Sequence, residues 1–131
     1  MKARITEVIS DAGTEPLVRL ETSAGSAVFR VRTRATHLEC GRAHSVEFEI
    51  DEPIEMGRNA KPATAHRFTL EDGDGRILMT GLVDAIDPDG LVYLRLGPGS
   101  LTMVDAPLGQ FDVGSWLDLE FDASSVVVYL S

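Results

Sequence analysis

Apolar and polar residues alternate over short stretches along almost the whole chain. Val46, Phe48 and Ile50 alternate with Glu47, Glu49 and Asp51, and Leu117, Leu119 and Phe121 alternate with Asp118, Glu120 and Asp122. A period of two is that of a strand with one buried face, and the 3.6-residue period of a helix is almost absent. The pattern predicts strands near 2–9, 16–22, 27–33, 44–51, 65–71, 76–86, 91–96, 100–104, 116–122 and 125–130. Turn residues fall between them: Ser23-Ala24-Gly25-Ser26, Glu71-Asp72-Gly73-Asp74-Gly75, Asp87-Pro88-Asp89-Gly90 and Gly97-Pro98-Gly99-Ser100. These residues tolerate positive φ or preset a turn. Pro53 to Ala63 and Asp105 to Asp112 read as longer loops.

The two halves of the chain resemble each other. Ala3-Arg4-Ile5-Thr6-Glu7-Val8 parallels Gly81-Leu82-Val83-Asp84-Ala85-Ile86, and Leu17-Val18-Arg19-Leu20 parallels Tyr93-Leu94-Arg95-Leu96. Gly41 with Ser45-Val46-Glu47-Phe48-Glu49 parallels Gly114 with Asp118-Leu119-Glu120-Phe121-Asp122. The offsets run 78, 76 and 73, as they would for a repeat with unequal loops. Each half reads as a long strand, a hairpin, a loop and a strand pair. That order fits a five-stranded OB-like barrel, with a β-sandwich as the alternative. The expected fold is all-β, with OB-like halves at residues 1–64 and 65–131. Half of this chain alone would bury too little surface, so the halves are expected to pack as one unit.

Composition narrows the classes. With 44% hydrophobic and 25% charged residues, the chain of 131 residues is that of a folded globular protein. Its longest apolar runs, such as Val126-Val127-Val128-Tyr129-Leu130, fall far short of a spanning helix, so no membrane partner is expected. No apolar leader follows Met1-Lys2-Ala3-Arg4, and Cys40 is the sole cysteine, which excludes an internal disulfide. A reducing, cytoplasmic setting is the expectation. The net charge of −9 is uneven: residues 1–76 carry −2 and residues 77–131 carry −7. Such a surface opposes nucleic acid and anionic membrane and favours a basic partner.

Two faces are candidates for binding. A four-residue loop at 23–26 would set Leu20 opposite Phe29 and Val18 opposite Val31, leaving Arg19 facing Arg30 with Arg32 and Arg34 beyond. Arginine pairs bidentately with carboxylate and phosphate, so this stripe is a candidate partner or anion site. It lacks the aromatics that single-stranded nucleic acid stacks on, and Glu47 and Glu49 are alternative partners for it. The second face is acidic: Asp118, Glu120 and Asp122 share the outward parity of their strand with Trp116, an aromatic suited to anchoring a protein partner.

The remaining chemistry is thin. His37, Cys40 and His44 have the spacing H-x2-C-x3-H, with His66 later, but one cysteine alone falls short of a structural zinc motif. Asp72-Gly73-Asp74-Gly75 lacks the further oxygen ligands of a calcium loop. No nucleophile elbow, phosphate loop, dinucleotide fingerprint or H-E-x-x-H is present. The expectation is a non-catalytic protein-binding module without metal or cofactor, of the inhibitor or assembly-subunit kind. The alternative is an OB-like binder of single-stranded nucleic acid or another anion through Arg19, Arg30, Arg32 and Arg34.

Overall fold

The computed structural model describes residues 1–11, 13–35 and 37–131. Among these residues eleven strands follow one another: β1 Lys2–Ser10, β2 Leu17–Thr22, β3 Gly25–Thr33, β4 Ala43–Ile50, β5 Ala60–Pro62, β6 Thr69–Gly73, β7 Arg76–Ile86, β8 Val92–Gly97, β9 Ser100–Val104, β10 Trp116–Asp122 and β11 Val126–Leu130. One 3₁₀ turn, Ala123–Ser125, joins β10 to β11. The protein is all-β, and the strands form one mixed sheet.

Hydrogen bonding runs from β11 through β4, β1, β2 and β3 and returns to β11. The β3–β11 pair is parallel and the other four pairs of this circuit are antiparallel. The last strand of the chain therefore fills the gap between two strands from its first fifty residues. β7 is the hub of the rest. It pairs with β6 and β10 along its first half and with β8 along its second, while β9 adds to β8 and β5 to β10.

The alternating pattern explains the core. Ile5, Val18, Leu20, Phe29, Val31, Val46, Phe48 and Ile50 are buried, as are Ile77, Met79, Leu117, Leu119 and Phe121. The outward residues of the same strands carry the charge, as a sheet with one wet face requires.

Several local expectations are corrected. The β2–β3 hairpin has a two-residue loop, Ser23-Ala24, so Leu20 faces Ala27, Val18 faces Phe29 and Arg19 faces Val28. Gly25 belongs to the strand, where it pairs with Thr22, and the carbonyl of Leu70 leaves no room for a side chain: a Cβ there would lie 1.9 Å from that oxygen, at a φ of +147°. The slip is two residues, so every side chain keeps its face. Arg19 and Arg30 are consequently not directly opposed. The strand expected at 65–71 is β6, which starts at Thr69 and runs into the expected turn, leaving Asp74-Gly75 as the loop with φ of 54° and 74°. The loop expected at 53–63 contains β5. The match of Leu17–Leu20 to Tyr93–Leu96 is also shifted, because Leu20 pairs with Ile5 whereas Leu94 pairs with Val83.

Candidate functional site

The strands β6, β7, β10 and β5 lie side by side, and their register sets outward side chains in rows. Thr69, Thr80, Asp118 and Lys61 are cross-strand neighbours, and Glu71, Leu78 and Glu120 form the next row. A groove of about 540 Å³ runs over these rows and is walled on one side by Gly57, Arg58 and Asn59. The same strands turn Leu70, Ile77, Met79, Leu117 and Leu119 into the core, which fixes the groove's floor.

The polar groups of the floor are tied to one another. Thr69 Oγ1 donates to Thr80 Oγ1 at 2.6 Å, and Thr80 Oγ1 donates to Asp118 Oδ1 at 2.7 Å. Thr80 is only 6% exposed, so this chain satisfies a hydroxyl that burial would otherwise penalise. Arg58 is occupied by Glu52 at 3.5 Å and Glu55 at 3.7 Å, and it also donates to the carbonyl of Pro53. Glu71, Glu120 and Lys61 are exposed and have no side-chain partner among the described residues. Glu71 and Glu120 flank Leu78 from the two neighbouring strands, about 10 Å apart by strand spacing.

The four residues of the expected acidic face share β10 but differ in surroundings. Trp116 is half-buried, stacked on His66 at 5.8 Å with an interplanar angle of 8°, and tilted against Phe68 at 5.0 Å. Asp118 is held by Thr80. Glu120 is free. Asp122 caps the 3₁₀ turn, accepting from Ser124 N at 2.9 Å and Ser124 Oγ at 2.7 Å, and these bonds hold its carboxyl below the usual carboxylate range.

The arginine stripe is largely neutralised by its neighbours. Arg19 meets Asp72 at 3.4 Å, and Arg30 meets Glu15 at 3.2 Å and the carbonyl of Ser124. Arg32 meets Glu15 at 2.7 Å and Glu49 at 3.7 Å, donates to Tyr129 Oη at 2.7 Å, and lies over that ring at 5.5 Å. The Glu15 bond, with that to Tyr129, keeps the Arg32 guanidinium more firmly protonated than usual. Tyr129 donates to Glu49, which raises its own phenol. Arg34 is exposed and has no partner among the described residues.

Sequence reasoning missed Glu15, Tyr129, Glu71 and Lys61. Glu49 is the partner for the stripe that parity suggests, but Glu15 comes from the turn before Pro16 and Tyr129 from a strand about 97 positions away. His37 and Cys40 are exposed, whereas His44 is buried with Nδ1 3.2 Å from the Ser131 carbonyl. Among the described residues no three His, Cys, Asp or Glu side chains are grouped to hold a metal. Nor is any helix among them long and apolar enough to cross a membrane. Comparison with protein-family models, with curated proteins and with solved structures finds no match for this chain.

Proposed function

We propose that the protein is a non-catalytic binding module that docks a basic segment of another protein in the groove across β5, β10, β7 and β6. The observation that carries this reading is the pair of unpartnered carboxylates, Glu71 and Glu120, set about Leu78 over a polar floor. Outward carboxylates at that spacing suit lysine or arginine side chains spaced along an extended chain, and the net charge of −9 would speed the encounter. An inhibitor or an assembly subunit is the kind of protein we propose for such docking.

The fold reading belongs with it. The circuit β1–β2–β3–β11–β4, with its one parallel pair β3–β11, supports the OB-like reading, in which β11 would take the place of the fifth strand. In this reading the arginine-lined hairpin is the expected nucleic-acid face. Carboxylates already meet Arg19, Arg30 and Arg32, which speaks for a structural role there.

The test uses a labelled lysine-rich peptide and, in parallel, a labelled single-stranded oligonucleotide, each titrated at low salt and followed by anisotropy. The expected result is peptide binding that weakens with salt and drops at least tenfold in Glu71→Lys/Glu120→Lys, with no oligonucleotide binding. Oligonucleotide binding that disappears on replacing Arg30, Arg32 and Arg34 by alanine would instead establish the anion-binding alternative.

A further inference from the structure

The strand registers of the two halves agree in the pairing of β1 with β4 and of β7 with β10, and at one bulge. β1 pairs with β4 through Lys2–Ser45, Ala3–His44 and Arg4–Ala43. β7 pairs with β10 through Thr80–Asp118, Gly81–Leu117 and Leu82–Trp116. Shifting the first strand by 78 and the second by 73 turns one set into the other. The bulge between Ile5 and Glu7 in β1 recurs between Val83 and Ala85 in β7, again 78 positions on. Both long strands then continue into a hairpin, β2–β3 in one case and β8–β9 in the other.

The strand that follows each unit is traded. After β4 the chain crosses over to form β5, which pairs antiparallel with β10. After β10 it crosses back to form β11, which pairs antiparallel with β4. The two crossing segments touch: Asp51 N donates to the Ser125 carbonyl at 2.8 Å, and Asp122 N donates to Glu52 Oε1 at 3.2 Å. The exchange is unequal, since β11 also pairs with β3, whereas among the described residues β9 pairs with β8 alone.

We infer that the chain is a fused pair of one β-unit with exchanged last strands, and that the slot between β3 and β4 accepts β11 from a second copy of this chain. The slot is built wholly from β3 and β4, and β11 is tied to the rest through the three-residue turn Ala123–Ser125. A β11 arriving from a second copy makes the same backbone bonds and buries the same Val126, Val128 and Leu130, so no new interface is needed. This is the general route to strand-swapped dimers. Leaving the slot exposes those side chains, so the trade occurs during folding, not in the closed protein. The inference is independent of the groove.

The test places Glu47→Cys and Tyr129→Cys, which face each other on β4 and β11 and are both exposed, in a full-length Cys40→Ser chain. Directly opposed strand positions suit a disulfide. The chain is unfolded, refolded at low and at high concentration, oxidised, and run on a non-reducing gel. A bond within the chain at low concentration and dimers joined by it at high concentration are expected. A bond that stays within the chain at every concentration would overturn exchange between copies, and no bond at all would overturn the pairing beneath it. Light scattering of the Cys40→Ser chain alone, refolded across the same range, reads the exchange without substitutions in the strands: dimers at high concentration support it, and monomers throughout refute it.

Discussion

Val28 lies where β3 passes from one neighbour to the next. β6 pairs with β3 only at Gly25, and β11 only from Arg30 onward. The intervening Val28 amide donates to Asp72 Oδ2 at 3.0 Å, and the other oxygen of Asp72 receives Arg19 at 3.4 Å. Asp72→Ala leaves that amide without a partner in a half-buried place and should cost about 1–2 kcal/mol, read from the urea midpoint. Asp72→Asn keeps an acceptor and should cost less. Gly25→Ala should be worse than a simple loss of flexibility. Its methyl would meet the Leu70 carbonyl at an unfavourable φ, so more than about 1 kcal/mol should be lost.

Among the elements, the segment joining β4 to β5 carries the most specific wiring. Burial alone would raise the Glu52 carboxyl. Hydrogen bonds from Asn59 Nδ2, the Asp122 amide and Ser125, with the charge of Arg58, outweigh it and leave the group below its ordinary value of 4.5. A carboxyl lowered on folding stabilises the protein above its ordinary value, and that gain is lost as the pH falls through the folded value. Glu52→Gln should therefore be less stable than the parent at neutral pH, with the difference shrinking in acid below 4.5. Unfolding curves at the two pH values check this. The strands flanking this segment are legible in the sequence, because Val46-Phe48-Ile50 and Leu117-Leu119-Phe121 alternate cleanly. β5 is not, since Ala60-Lys61-Pro62 is too short to show a period and ends in proline. The hairpin loop length escapes the pattern for a related reason: alternation fixes which face a residue takes, but slips of two residues leave it unchanged.

For the molecule as a whole, β11 ties the end of the chain to its beginning. No local pattern in Val126–Leu130 tells that it lies between Arg30–Thr33 and Val46–Ile50, because such pairing is decided by the packed core. The same holds for the groove. The outward row Trp116, Asp118, Glu120 and Asp122 can be read from parity, whereas Glu71 and Lys61 join it only through the register of neighbouring strands. Interleaved strands should unfold together. Val128→Ala removes buried methyl groups and should cost about 2 kcal/mol. It should shift the far-ultraviolet circular dichroism transition and the Trp116 fluorescence transition equally, although Trp116 lies on β10 and not on the circuit that holds β11. The docking proposal is tested most directly by amide chemical-shift mapping of the full chain titrated with the lysine-rich peptide at low salt. Shifts concentrated at Lys61, Glu71, Leu78 and Glu120 are the predicted result. Shifts concentrated on the β2–β3 hairpin around Arg19, Arg30 and Arg32, or no shifts at all, would contradict it.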